Sequence, residues 1–302
     1  MRSFLDAIPP PILLAQCKAY QSLDQICQAI DNLLKTQPEG GFSIYISLPF
    51  SYMAPISEKY LPHRIHPGVE GLLDTDEGSF TGSIAGKILH EGQAQFAMIG
   101  TVQDRTSHSS TSNHLINKVK TALNHQIPPF ICIGETLQEH QEKKSKIILS
   151  SQLKECIEGL CEDELKKLHI VYNAEWISRT PWEAASPELH EAYGIFKEVI
   201  NETLGSDILS PQQLIVAIPA YSNEVHLLIK SLQTASHPLI NFSIGILGLN
   251  SEYLQPLIEK EIEPEIEKTV EPEIVKENEP VIVKENEPEI VKEGETGLGS
   301  VK

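Results

Sequence analysis

The sequence lacks a paired-cysteine motif: its five cysteines, Cys17, Cys27, Cys132, Cys156 and Cys161, are odd in number and none forms a CxxC pair. That pattern argues against a zinc site or a disulfide framework, so no metal is expected and a reducing cytoplasm suits the chain. No stretch reaches the ~20 apolar residues of a membrane-spanning helix. Met1 to Leu14 carries one arginine and a short apolar stretch broken by Pro9, Pro10 and Pro11, which makes a poor signal peptide. Basic charge is scarce too, with 24 Lys and Arg against 42 Asp and Glu and a formal net charge of -18. Nucleic acid and anionic membrane are thereby excluded as bulk partners, since both need a basic face. A phosphorylated small molecule at a locally positive pocket remains compatible with this balance.

What is present is enough apolar material, 40% of 302 residues, for a sizeable core. The composition changes near Lys260. From Glu263 an octad opening Glu-Pro recurs at Glu271, Glu279 and Glu287. Proline every eighth residue forbids a long helix, and the Glu/Lys-rich blocks hold too few apolar groups to offset ordering entropy. Residues 263–302 are therefore expected to be a disordered acidic tail. It serves either as a solubilising segment or, through its Ile-Val pairs, as a strand added to the sheet edge of a protein partner.

Residues 1–262 alternate between strand-like and helix-like segments. Ile12 to Gln16 reads as a short buried strand. Leu23, Ile26, Cys27, Ile30, Leu33 and Leu34 follow at helical spacing, with Ser22 and Gln25 placed as a capping box. Further strands are expected at Phe42 to Leu48, His63 to His66, Gln95 to Gly100, Pro129 to Gly134, His169 to Tyr172, Leu214 to Ile218 and Phe242 to Leu247. Helices are expected at Ser79 to His90, Asn113 to His125, along Leu149, Leu153, Cys156, Ile157 and Leu160, and at Pro187 to Leu204. Asn223 to Leu232 and Ser251 to Ile262 complete the set. Eight such units with strands apolar on both faces point to a (β/α)8 barrel. The competing open doubly wound sheet would place a glycine-rich turn after the first strand, and Ala15 to Tyr20 contains no glycine.

In such a barrel the chemistry lies on loops at the carboxyl ends of the strands. Four stretches carry a resemblance: Gly78-Ser-Phe-Thr-Gly82, Asn117-Lys-Val-Lys-Thr-Ala-Leu123, Cys132-Ile-Gly-Glu-Thr-Leu137 and Tyr172-Asn-Ala-Glu-Trp176. In this order they resemble triosephosphate isomerase, whose stretches read GAFTG, NKKV..AL, CIGETL and YEPVW. The resemblance implies a cytoplasmic homodimer, without cofactor, that interconverts dihydroxyacetone phosphate and glyceraldehyde 3-phosphate in glycolysis and gluconeogenesis. It also implies a substrate lysine, a polarising histidine, a glutamate base and backbone N–H groups for phosphate.

Set against that pattern, Gln16-Cys17-Lys18 stands for NWK, so Lys18 occupies the substrate-lysine position and Gln16 that of its neighbouring asparagine. Gly100 to Arg105 stands for GHSERR, placing Thr101 at the electrophile position and Gln103 at an acidic one. Threonine cannot shuttle a proton as imidazole does, and His108 and His114 lie on the following loop and helix start. Asn173 stands at the base position, where an amide has no useful proton affinity. Glu175, two residues on, is the nearest substitute base. The phosphate region has lost its glycines: the lid reads Ile177 to Pro181 with Arg179, the turn after the seventh strand ends near Ser222, and Gly245-Ile246 replaces a glycine pair. Arg179, Ser222, Gly245 and Ile246 are the remaining substrate-binding candidates. In the dimer loop Thr81 matches the residue that reaches across, while Ser83 replaces a glutamate.

The resemblance thus implies a catalytically degenerate family member. The alternatives are a weakly active or repurposed isomerase using Lys18 with Glu175, and a binding or scaffold protein acting through its tail. Deleting residues 263–302 is expected to leave the set of proteins recovered by pull-down unchanged; loss of a partner would assign the tail a docking role.

Overall fold

The structure is a computed structural model that describes residues 12–17, 21–36, 43–76, 78–79, 83–107, 113–174, 176–177, 182–219 and 243–247. The strands are β1 (Ile12–Gln16), β2 (Ser43–Ser47), β3 (Ile65–Gly68), β4 (Ala97–Ile99), β5 (Pro129–Ile133), β6 (His169–Asn173), β7 (Leu214–Pro219) and β8 (Ser243–Leu247). All pair in parallel, in the order β3-β2-β1-β8-β7-β6-β5-β4. The outer strands meet through a single bridge, Val69 to Ala97. Three backbone bonds hold it: Val69 N–H to the Phe96 carbonyl, Met98 N–H to the Val69 carbonyl and Gln95 N–H to the Pro67 carbonyl, at 3.2, 2.8 and 2.8 Å. Pro67 offers β4 a carbonyl but no N–H, which keeps this seam short. The result is the expected (β/α)8 barrel.

Side chains alternate across the wall, as strand geometry requires. Ile12, Leu14, Phe96, Met98, Phe130, Cys132, Val171, Ile215 and Ala217 form an interior cluster with Tyr45 packed against it. Leu13, Ala15, Ile44, Ile46, Ile131, Ile133, Ile170 and Tyr172 face outward and join the larger layer beneath the helices. Within the barrel, Phe130 lies 4.7 Å from Phe96, 5.1 Å from Tyr45 and 4.3 Å from His169, centroid to centroid. These rings fill the space that a narrow eight-stranded barrel leaves for side chains.

The helices are α1 (Leu23–Thr36), α2 (Met53–Tyr60), α3 (Gly86–Glu91), α4 (Val102–Ser107), α5 (His114–Asn124), α6 (Leu137–Gln141), α7 (Ser145–Ile157), α8 (Glu162–Leu165) and α9 (Trp182–Leu204). The reciprocal Ser22–Gln25 bonds expected before α1 are present, at 2.9 and 3.3 Å. Four expectations need correction. The helix expected to run along Leu149 to Leu160 ends at Ile157, because Gly159 adopts a left-handed backbone at φ 77°. The helix expected from Ser79 begins only at Gly86, because Ile84 is held in a parallel bridge to Leu72. The third strand falls two residues later than His63 to His66, since Leu61–His63 is a 3-10 turn and Arg64 adopts a left-handed backbone at φ 60°. Helix α9 starts at Trp182 rather than Pro187, so the proline lies inside it and forfeits one backbone bond. The helices expected at Asn223 to Leu232 and Ser251 to Ile262, and the octad tail, lie outside the described residues. Among the described residues, no helix is long and apolar enough to cross a membrane.

Burial pushes the His169 imidazole down to about 4 from its ordinary 6.5. Between those values the unfolded chain takes up a proton that the folded chain does not, so stability falls as pH drops through this window. The loss from this group is roughly 3 kcal/mol by about pH 4. The replacement His169→Phe is expected to flatten the thermal-unfolding profile between pH 6.5 and 4; an unchanged slope would place the acid sensitivity elsewhere.

Candidate active site

The mouth of the barrel is built from the inward residues at the carboxyl ends of the strands. Gln16, Ser47 and Gly68 are in register across β1, β2 and β3. Since Leu14 faces the interior, Gln16 is the next inward position on its strand. Glu70, two residues beyond β3, completes this side: its Oε1 accepts from Gln16 Nε2 at 2.5 Å and from Ser47 Oγ at 2.8 Å. Gln16 and Ser47 are buried and Glu70 is partly exposed. The Cys132 thiol inside the barrel is pushed up by burial first and by the Glu70 charge second, which puts the carboxylate within electrostatic reach of the interior. Gln16, expected as a substrate contact, here donates to a carboxylate of its own chain.

On the β4 side, Thr101 is 7% exposed, and its Oγ1 accepts the Asp104 N–H at 3.3 Å. The hydroxyl at the expected electrophile position thus caps α4. Asp104 Oδ2 accepts the Gly100 N–H at 2.9 Å, and its Oδ1 accepts Lys118 Nζ at 2.6 Å. This ion pair is enclosed, with the two side chains 7% and 10% exposed. Arg105 donates to the carbonyls of Gly100 and Cys132 at 3.0 and 3.1 Å and pairs with Glu155 at 2.8 Å, fastening β4, β5 and α7 together. Gln103 is exposed, and His114 is buried at the first turn of α5.

Asn173 ends β6, partnered with Ala217. Its Oδ1 is buried and has no hydrogen-bond partner among the described residues. Gly134 lies against it so closely that a Cβ there would sit 2.2 Å from the Asn173 carbonyl oxygen, which requires glycine. Gln152 clamps both backbone groups of Gly134, at 2.8 and 3.0 Å. Gly100, Arg105, Gly134, Glu135, Gln152 and Asn173 border a cavity of about 70 Å³.

Behind this wall a second network fixes the chain as it leaves β6. Glu135 Oε1 accepts from Tyr172 and Ser145, both at 2.9 Å, and lies 3.1 Å from His140 Nδ1. Trp176 Nε1 donates to the Tyr172 hydroxyl at 3.1 Å, and the His140 ring stacks on Trp176 at 3.9 Å. Burial, then the Glu135 charge, pushes the Tyr172 phenol up, so it stays a proton donor. Glu135 belongs to the CIGETL stretch and was given no role from the sequence; the motif itself was its only signal. Glu70 had no signal, reading as an ordinary loop carboxylate.

Lys18, Glu175, Arg179 and Ser222 lie outside the described residues, as do Thr81 and His108. Gly245 and Ile246 are placed by their backbone on β8, paired with Leu14 and Ala217 and with Ala15 and Ile218. Among the described residues, no three His, Cys, Asp or Glu side chains converge as a metal site would require.

A sequence model of the triosephosphate isomerase family matches residues 11–214. The chain belongs to the triosephosphate isomerase family. It is 29% identical over 204 residues to the triosephosphate isomerase of Protochlamydia amoebophila, covering 66% of this chain and 77% of that protein. The enzyme of Caldanaerobacter subterraneus is 23% identical over 197 residues, covering 65% and 79%. The crystal structure of triosephosphate isomerase from Bartonella henselae superposes with a TM-score of 0.65 at 19% identity, covering 83% of this chain and 98% of that one, a likeness of fold. The match to the triosephosphate isomerase family ends at Leu214, where β7 begins, so both of the last two strands lie almost wholly beyond it.

Replacing Asp104→Ala strips an enclosed lysine of its partner and Gly100 of an acceptor. The expected cost is about 3–5 kcal/mol in denaturant unfolding; a loss under about 1 kcal/mol would mean that Lys118 finds water.

Proposed function

We propose that this chain keeps the barrel of the triosephosphate isomerases without their proton-transfer chemistry. The observation that carries the reading is the pair of residues at the two acid–base positions. Asn173 is an amide with no useful proton affinity, and Thr101, whose Oγ1 accepts the Asp104 N–H, has a hydroxyl that cannot shuttle a proton as imidazole does. In the family reaction a base removes a proton beside a carbonyl while a neutral imidazole polarises that carbonyl. Each such group is worth on the order of 10²–10⁴ in rate, so losing both leaves little turnover. The proposed setting is the cytoplasm, and the proposed assembly is a homodimer.

A coupled assay on glyceraldehyde 3-phosphate tests this. Wild-type protein is expected to show no turnover above background, and wild-type turnover abolished by Lys18→Ala would overturn the reading. The double replacement Asn173→Glu with Thr101→His separates two forms of loss. Recovered turnover would confine the defect to the acid–base pair; continued silence would extend it to phosphate holding.

A further inference from the structure

Glu70 belongs to none of the four motif stretches, yet among the described residues it bridges two strands at the mouth of the barrel. Its Oε1 takes one hydrogen bond from β1, through Gln16, and one from β2, through Ser47. These are two neutral donors at the entrance of the barrel, and a carboxylate oxygen is what they hold. Charge-assisted bonds of this kind are stronger than neutral ones, so a ligand oxygen competing for the donors must first displace an anion. The carboxylate also leaves a negative charge where an incoming ligand arrives, and an eight-stranded barrel leaves that ligand little room to stand off.

We propose that Glu70 acts as an internal anion of the barrel mouth, occupying the Gln16 and Ser47 donors and restricting the mouth to uncharged or cationic ligands. Selectivity here works by repulsion: the unwanted class is rejected by a like charge and by donors already taken. The inference deepens the reading given under the proposed function and rests on it, since a site without acid–base groups has no need to admit a phosphate ester. It also makes a distinct statement, because exclusion of anions is a matter of affinity and not of turnover.

Ligand-observed NMR titration of the full chain with dihydroxyacetone phosphate, and separately with unphosphorylated dihydroxyacetone, tests it in wild type, Glu70→Gln and Glu70→Ala. Both replacements are expected to tighten binding of the phosphate ester roughly tenfold or more, as removal of one close like charge predicts. Affinity for dihydroxyacetone is expected to change by no more than about twofold in Glu70→Gln, which keeps an acceptor oxygen on the Gln16 and Ser47 donors and removes only the charge. Equal affinity for the ester in all three proteins would overturn the proposal. Should both variants lose cooperative unfolding, the wild type decides alone at about 0.15 M salt, where distant charges are screened. A repelling mouth binds dihydroxyacetone more tightly than its phosphate ester, and the reverse order overturns the proposal. The coupled assay on the same samples scores the isomerase reading separately, because wild-type turnover overturns that reading whatever the Glu70 variants bind.

Discussion

Closure of the sheet is the constraint on which the other features depend. Eight parallel strands make a barrel only if β3 and β4 meet, and they meet over one bridge and three backbone bonds. The seam tolerates no side chain at residue 68, where a Cβ would lie 2.2 Å from the Phe96 ring. With Gly68 in place the chain passes close to β4 and then turns over the mouth, which brings Glu70 to Gln16 and Ser47. The same closure packs Phe96 against Phe130 and so fills the interior. The seam is thus both a weak point in hydrogen bonding and the origin of the chemistry at the entrance.

The elements legible in the sequence were those whose burial leaves a periodic trace. Strands such as Pro129–Ile133 are buried throughout, and their unbroken apolar runs announce it. Helix α7 shows Leu149, Leu153 and Cys156 on one face. Helices α4, α6 and α8 were not legible, because four to six residues are too few to display a period. Helix α2 was missed for a different reason: it carries Pro55 in its first turn, and its anchoring is partly polar, with the Tyr60 hydroxyl bonded to Asp31 at 2.8 Å. The candidate site was readable as positions, not as roles, where a motif spans it, at Thr101 and Asn173. It was illegible at Glu70, whose significance comes only from strands 54 and 23 residues away in sequence.

On the proposed reading, the residues that carry the family resemblance and those that would perform its chemistry have separated. Glu135, Tyr172 and Trp176 form a network in the outer layer, where Tyr172 and Trp176 are fully or almost fully buried. Exchange of Tyr172 removes a donor to Glu135 and an acceptor of Trp176 together, and each buried hydrogen bond lost costs about 1 kcal/mol. Stability alone is enough to retain these motif letters. The inward positions, Thr101 and Asn173, face no such requirement from the reaction once turnover is not selected. Similarity by motif and similarity by mechanism therefore report on different layers of the same wall.

The hydroxyl of Thr101 has a further consequence, for the direction of change over time. By capping α4 it has acquired a structural task, and loss of such a cap costs about 1 kcal/mol. A mutation that introduced imidazole at this position would lose that stability at once, while on the proposed reading any gain in catalysis would wait for a second change at Asn173. Each single step back is thus unfavourable or neutral. On the proposed reading the cap acts as a ratchet, making a departure from acid–base residues easier to enter than to leave.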